Sequence, residues 1–289
     1  MMTFDRSEIM NNNVIDFIVS CMATSSLNAN IQKVQTEHRL KLAEFWGITE
    51  GSKVLEIGCG QGDTTAVLAY LVGTKGLVHG IDIAAPEYGS PITLGDSIEF
   101  LKNSELGPRI KIDLEMDMLS ADVNYPEGYF DYVILSHSSW YLNSAEELLS
   151  ILQKLKKWGR TLCFAEWDAR IHSEQQLPHF LAVLIQAQYD CFRQNSSSNI
   201  RTLFTPMDIR NITKKAGWHI VKEASLNSPN LQDGEWEVNQ TLIISPDELG
   251  TISNMPYKLH TLIKSEIKLL EESVGKDMMP LSTFCFLAN

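Results

Sequence analysis

The stretch KVLEIGCGQGDTTAVLAYLV, residues 53–72, constrains this chain more than any other. A short apolar run, three glycines at every second position and an apolar helix-forming segment read as strand, tight turn and helix. Glycine takes φ > 0 without strain and lets backbone approach a ligand, so the turn is a socket at a strand end.

The alternation continues beyond it. LVHGID is a strand ending in an acid, PITLGDSIEFLKN a helix, RIKIDLEM and YFDYVILSH strands, AEELLSILQKLKKW a helix and RTLCFAEW a strand. After Trp167 the rhythm breaks. Residues 174–194 read as a long apolar helix, SSSNIRTLFTP as a loop, and a further helix starts at Pro206. A strand near HIVKEASL, a mostly helical stretch over 233–279 and a last strand LSTFCFLA complete the chain. Strands alternating with helices over short connections imply right-handed parallel βαβ units. The fold expected is α/β: a doubly wound, Rossmann-like, mostly parallel seven-stranded sheet with an antiparallel last strand and helical lid insertions. One integrated domain is expected: an N-terminal helical lid (1–50), a cofactor-binding core (51–170), and 171–289 carrying lid helices with the remaining core helix and edge strands.

Three ligands suit a glycine turn of this kind, and its neighbours separate them. A phosphate loop needs a lysine after the last glycine, and none follows Gly62. The dinucleotide fingerprint is G-x-G-x-x-G, whereas Gly58, Gly60 and Gly62 give G-x-G-x-G. Asp82, at the end of the next strand, stands where an acid would take ribose hydroxyls. Glu56 and Asp63 place negative charge around the turn, which repels a pyrophosphate and suits a sulfonium bearing an ammonium group. The residues favour S-adenosyl-L-methionine, with a nicotinamide dinucleotide as the alternative.

Charge and cysteine usage narrow the setting. A formal net charge of −12 repels nucleic-acid backbones and anionic lipid headgroups, so neither nucleic acid nor a stable membrane association is expected. The five cysteines are scattered without a C-x-x-C pair, which argues for a reducing cytoplasm and against a structural zinc site. No metal is expected. No apolar run reaches the ~18 residues of a membrane span, and the segment Ile15–Cys21 makes a poor signal peptide.

VLEIGCGQG resembles motif I of the class I S-adenosylmethionine-dependent methyltransferases. HGIDI resembles the acidic strand that follows, EMDML the next acid, and YPEGYFDYVILSH the stretch before the substrate pocket; together these cover about 45–170. The resemblance implies that Gly58 and Gly60 face the methionine end of the cofactor. It implies that Asp82 takes both ribose hydroxyls, Ile83 lies against the adenine, Asp117 accepts from the adenine amino group and Met118 offers a backbone N–H. Asp113 or Glu115 competes for the role of Asp117. Glu56, Cys59, Gly62 and Ser136 complete the expected cofactor-binding set.

Methyl transfer from a sulfonium asks the protein to align a nucleophile, exclude water and sometimes remove a proton. SHSSWYLNS, residues 136–144, is the place to look. His137 titrates near neutrality and is the candidate base, or it packs on the cofactor. Tyr141 and Glu166 are the other catalytic candidates. Trp140 and Tyr141 form a pocket or cation–π wall, or belong to the core. Gln35, His38, Trp167 and Arg201 complete the expected substrate pocket, Arg201 as an anchor for an acceptor carboxylate. The resemblance sharpens toward the cyclopropane-fatty-acid-synthase-like group, whose A-Q-x-x-K stretch falls where this chain has VQTEH, with His38 for lysine. Ser20–Cys21 stands for that group's Ser-Cys, and Tyr141 replaces the glutamate that helps hold its bicarbonate base. The expected function is a methyltransferase acting on C, N or O of a soluble small-molecule acceptor. Lipid alkylation, a cofactor-binding protein that does not methylate, and a nicotinamide oxidoreductase are the alternatives. The aromatic-rich lid helices roof a pocket or offer a homodimer surface.

Overall fold

The structure, a computed structural model, describes residues 6–24, 29–193, 198–275 and 277–289, with side chains from Asn12 onward. Gln194, at the end of the expected lid helix, and Ser196 and Ser197 of the serine loop lie outside the described residues. Two helices come first, α1 (Arg6–Ser20) and α2 (Ala29–Trp46). The alternating core follows: β1 (Lys53–Ile57), α3 (Asp63–Val72), β2 (Leu77–Ile81), α4 (Leu94–Lys102), β3 (Ile110–Asp113), β4 (Phe130–Ser136), α5 (Ala145–Trp158) and β5 (Gly159–Trp167). The rest is α6 (Leu177–Asp190), α7 (Pro206–Lys215), β6 (Ile220–Leu226), α8 (Asp233–Thr251), α9 (Tyr257–Ser273) and β7 (Thr283–Ala288).

Seven strands form one sheet in the order β3-β2-β1-β4-β5-β7-β6. The pairs among β1 to β5 are parallel, and β7 runs antiparallel to both its neighbours. This is the expected Rossmann-like architecture. Alternate residues of a strand point to opposite faces, so Val54 joins the core under α1 to α4 while Leu55 joins the core under α5 and α7. A third apolar cluster binds α6, α8 and α9 to one another through Leu181, Ile185, Val238, Ile263 and Leu270. No described helix is long and apolar enough to cross a membrane.

Local chemistry sets the boundaries. Ser144 caps α5 by accepting from Glu147 N at 3.1 Å, acids fill its first turn and Lys156 and Lys157 its last. Leu148, Ile151, Leu152, Leu155 and Trp158 recur at helical spacing and are buried against the sheet. Three expected elements depart most from their sequence stretches. RIKIDLEM stops pairing at Asp113, because Glu115 turns to φ 55° and Met116 N donates back to Asp82 O at 2.9 Å. The helix expected over 174–194 opens as a 3-10 turn, Glu174–Gln176, and becomes α-helical at Leu177 with Pro178 in its first turn. The helical stretch over 233–279 divides at residues 252–256, where Pro256 precedes α9.

Leu152 is fully buried where α5 meets the sheet. Leu152→Ala should cost about 2–5 kcal/mol in urea unfolding; a loss below about 1 kcal/mol would mean α5 does not cover the core as described.

Candidate active site

The sheet reverses its winding between β1 and β4. The crossovers α3 and α4 cover one face and α5 the other, so a crevice opens beyond the carboxyl ends of these two neighbours. The glycine loop turns into it. Gly58 and Gly62 sit at φ 72° and 88°, and a Cβ on them would stand 2.9 Å from Ser138 Cβ and 2.8 Å from Leu101 Cδ2. These two let the loop close against its surroundings. A Cβ on Gly60 would meet nothing within 4 Å, so backbone there faces open space. Gly60 N donates to Asp82 Oδ2 at 2.8 Å and Ala84 N to Oδ1 at 2.9 Å. A carboxylate offers about four acceptor positions, so Asp82 keeps capacity for a diol. Next to it Ile83 is 70% exposed, an apolar platform.

Of the three acids after β3, Asp113 is engaged. Burial alone would raise its pKa, but His79 Nε2 at 2.8 Å and Lys111 Nζ at 2.6 Å hold it below the ordinary carboxylate value. Glu115 and Asp117 are exposed, with Asp117 Oδ1 accepting from Leu119 N at 2.8 Å. Met118 is buried in the core under α5.

Two cavities share Tyr141, Asn199 and Trp236 as walls. An outer cleft of about 820 Å³ lies over Gly60, Gln61 and Asp63 and is flanked by α6 and α8 residues such as Gln186 and Gln240. An inner chamber of about 210 Å³ is lined from α2 by Gln35, His38 and Arg39, and from the ends of β4 and β5 by Ser136, His137, Glu166 and Trp167. α8 contributes Asp233, Trp236 and Glu237 to it.

His137 takes φ 50° just past β4, held by its N–H donating to Ala165 O at 2.8 Å. A non-glycine residue in this region stores backbone strain of order 1–3 kcal/mol. Its Nε2 lies 3.4 Å from His38 Nε2, and His38 is anchored through Nδ1 to Ser228 Oγ at 2.9 Å and through Nε2 to Thr283 Oγ1 at 3.3 Å. Burial, with the charges of Arg39 and Lys41, depresses His38 to about 3. Burial, with His38 and Arg39, holds His137 well below its ordinary value. Burial thus favours the uncharged form of both rings, and their tautomers decide which of the facing nitrogens donates. His137 Nδ1 is buried without a hydrogen-bond partner, 3.9 Å from Glu166 Oε1.

Glu166 is itself satisfied. Its oxygens accept from Ser139 Oγ (2.7 Å), Ser139 N (3.0 Å), Trp140 N (3.3 Å) and Trp167 N (2.9 Å), while burial raises its pKa against these bonds. It pins the turn after β4. Trp140 is both core and chamber wall, with its Nε1 donating to Phe204 O at 3.4 Å.

Glu56 lies behind the loop, fully buried, accepting from Thr65 Oγ1 at 2.5 Å. Burial pushes it up to about 8 despite that bond and the Arg39 charge. The negative charge expected from Glu56 is therefore largely titrated away at neutral pH. Asp63, at the other side of the turn, accepts from Gln32 (2.9 Å) and Arg39 (3.4 Å).

The structure brings Gln35, His38, Ser136, His137, Trp140, Tyr141, Glu166 and Trp167 to one chamber. Arg201 lies outside both cavities, its Nε on Ser198 O at 3.2 Å and its backbone N on Trp140 O at 2.9 Å. Cys59 is a buried thiol raised by burial, and Ser20 and Cys21 line neither cavity. Trp236, one of the aromatic residues expected in the lid, lines both cavities, whereas Arg39, Asp233 and Glu237 were missed from sequence. The one available signal was the four-residue spacing of Gln35–Arg39 and Asp233–Glu237. Among the described residues no group of three or more His, Cys, Asp and Glu side chains is placed to hold a metal ion.

Comparison with known proteins adds to this geometry. Residues 30–223 match a family described as a methyltransferase domain. The chain is 32% identical to a cyclopropane-fatty-acyl-phospholipid synthase-like protein from Lactobacillus casei ATCC 334 of known crystal structure, over 96% of this chain and 99% of that one, with a TM-score of 0.85. A methyltransferase of Diaporthe leptostromiformis is 30% identical over 153 residues, 46% of this chain and 40% of its own. The demethylmenaquinone methyltransferase of Lysinibacillus sphaericus (strain C3-41) is 26% identical over 137 residues, 46% of this chain and 52% of its own. This chain thus spans only part of the length of these two curated relatives.

Glu56 supplies a pH test. Its folded pKa of about 8 stands above the ordinary 4.5, so its contribution to stability is complete below pH 4.5 and lost as pH rises through 8. Urea unfolding of the ligand-free protein should show stability falling from pH 5 to about 8.5 more steeply than in Glu56→Gln. Parallel profiles would show that the carboxyl is already ionised in the fold.

Proposed function

The chain belongs to the methyltransferase-domain family, and from that premise we propose that it methylates a small-molecule acceptor held in the inner chamber, with S-adenosyl-L-methionine as donor. The observation that carries this reading is the junction of an open backbone cradle, at Gly60 and Asp82, with a chamber of buried titratable side chains through a shared wall.

The residues present fit the donor. Gly60 offers close backbone approach for its amino-acid end, while Gly58, expected to do the same, packs on Ser138 instead. Asp82 has acceptor capacity for its ribose, and the exposed Ile83 and Asp117 are the candidates to meet its base, with the Met118 backbone beside them. When bound, the cofactor supplies a methyl group activated on a sulfonium sulfur. The chain's own work is to seat the acceptor, keep water out and take a proton where the acceptor carries one. Glu237, whose pKa burial raises, takes that proton, and His137, whose pKa burial lowers, lines the chamber as an uncharged imidazole. Glu166 is a positioning residue, holding the Ser139–Tyr141 turn and hence His137. Tyr141, which is 42% exposed and borders both cavities, orients the acceptor together with Trp167. The five free cysteines accord with a cytoplasmic setting.

The likeness to the Lactobacillus casei protein favours a second reading, alkylation of an unsaturated lipid. The carboxylates of the chamber wall oppose an acyl chain there. Gas chromatography of unsaturated phospholipid vesicles incubated with enzyme and donor would decide it, since a cyclopropane product would displace the small-molecule reading. Donor bound without S-adenosylhomocysteine release across a broad acceptor panel would instead point to a non-methylating protein.

Asp82→Ala should weaken S-adenosylhomocysteine binding at least about tenfold, through loss of charge-assisted ribose hydrogen bonds. Isothermal titration checks it, and unchanged affinity would place the ribose elsewhere.

A further inference from the structure

The inner chamber has a one-sided charge. Among the described residues, Glu166, Asp233 and Glu237 line it against the single guanidinium of Arg39. That guanidinium is committed, to Gln35 Oε1 at 2.6 Å, Gln35 O at 3.1 Å and Asp63 at 3.4 Å. The histidines at the wall add no positive charge. Burial holds His38 and His179 at about 3 and His137 well below its ordinary value. A carboxylate or phosphate on the acceptor would find no free cation here. Arg201, the anchor expected from sequence, lies elsewhere.

Asp233 and Glu237 stand one turn apart on the same face of α8, where like charges repel. Asp233 is bonded to Gln35 Nε2, and Glu237 to Gln186 Nε2, which also reaches Thr241 Oγ1 at 2.8 Å. Glu237 is 7% exposed. Burial raises its pKa against the Gln186 bond, and the Asp233 charge adds to the rise. A cation beside both acids would relieve this repulsion. Trp140, Tyr141, Trp167 and Trp236 complete the wall with aromatic surface. Aromatic faces attract organic cations by about 0.5–2 kcal/mol. His137 lines the same chamber, and its buried Nδ1 has no hydrogen-bond partner, with Glu166 Oε1 3.9 Å away.

We propose that the acceptor is an amine that enters the chamber as a small organic ammonium ion, recognised by Glu237 and Asp233 against the aromatic wall. The inference rests on the methyltransferase reading and names its acceptor class. The ammonium proton passes to the Glu237 carboxylate, whose hold on a proton burial strengthens, and this frees the nitrogen lone pair. That pair forms the new bond to the methyl carbon, and the electrons of the broken carbon–sulfur bond stay on sulfur. Charge is conserved: ammonium and carboxylate neutralise each other as the proton moves, and the sulfonium's positive charge passes to the nitrogen that gains the methyl.

Three six-membered-ring probes test it by isothermal titration at pH 7.5, on protein with and without S-adenosylhomocysteine: piperidinium, its neutral isostere tetrahydropyran, and cyclohexanecarboxylate. Piperidinium should bind at least tenfold more tightly than tetrahydropyran, and cyclohexanecarboxylate should not bind. Glu237→Gln should weaken piperidinium at least tenfold while leaving S-adenosylhomocysteine affinity unchanged, with Asp233→Asn as the second variant should the first fail to fold. Equal affinity for the two isosteres, or preference for the carboxylate, would overturn the proposal. So would a Glu237→Gln protein that loses affinity for S-adenosylmethionine and keeps it for piperidinium, since the acids would then serve the donor's sulfonium. Failure of S-adenosylhomocysteine to bind strikes the methyltransferase reading instead, and the titrations without it separate the two failures.

Discussion

The reversal of sheet winding between β1 and β4 is the constraint on which the rest depends. Two parallel strands whose crossovers leave on opposite faces cannot both be covered at their carboxyl ends, so the crevice there is a product of topology. Each side chain with a proposed role hangs on its rim or on an element packed beside it. The glycine loop leaves β1 and touches Ser138, which follows β4, at a distance that leaves no room for a Cβ on Gly58. The two rims are therefore fitted to one another. His137 enters the left-handed region in the same turn, secured by Ala165 of β5. The strain at His137 is offset by that bond and by the Glu166 cluster that fixes the following residues.

Burial has removed much of the charge that the sequence displays. Glu56 is pushed toward its neutral acid, while His38 and His179 are neutral imidazoles. What remains is a site whose hydrogen-bonding groups are fixed before any ligand arrives, in surroundings with little water to screen them. Neutral facing imidazoles gain a particular property from this. His38 can donate through Nδ1 to Ser228 or accept from it, and that choice sets whether His137 Nδ1 presents a lone pair or a proton to the chamber.

The core was legible in the sequence because its signals are local. Strand and helix periods, the Ser144 cap and the spacing of Gly58, Gly60 and Gly62 lie within a few residues of the features they dictate. Asp82 was legible for the same reason, standing at the end of the next strand. The missed parts depend on distant partners. His38 meets Ser228 and Thr283, 190 and 245 residues away, and no local pattern announces that contact. Glu56 read as a charge because its burial depends on how α3 covers β1, which brings Thr65 onto its carboxyl. RIKIDLEM read as one long strand because a left-handed Glu115 has no periodic signature. Arg201 was placed in the pocket on charge alone, and the structure turns its guanidinium onto the neighbouring Ser198 carbonyl.

α8 separates two tasks that the rest of the chain combines. Val238 and Leu249 bury it against α6 and α9, in a cluster distinct from both faces of the sheet. Its other side gives Asp233, Trp236 and Glu237 to the chamber and Gln240, Thr241 and Ile244 to the outer cleft. Trp236 stays 55% exposed while walling both cavities, so it contributes little to the packing of the lid. Of the residues that α8 gives to the chamber, Asp233 and Glu237 line it alone, while Trp236 also walls the cleft over Gly60. Substitution at Asp233 or Glu237 therefore changes the chamber wall and leaves the lining of the outer cleft as it is.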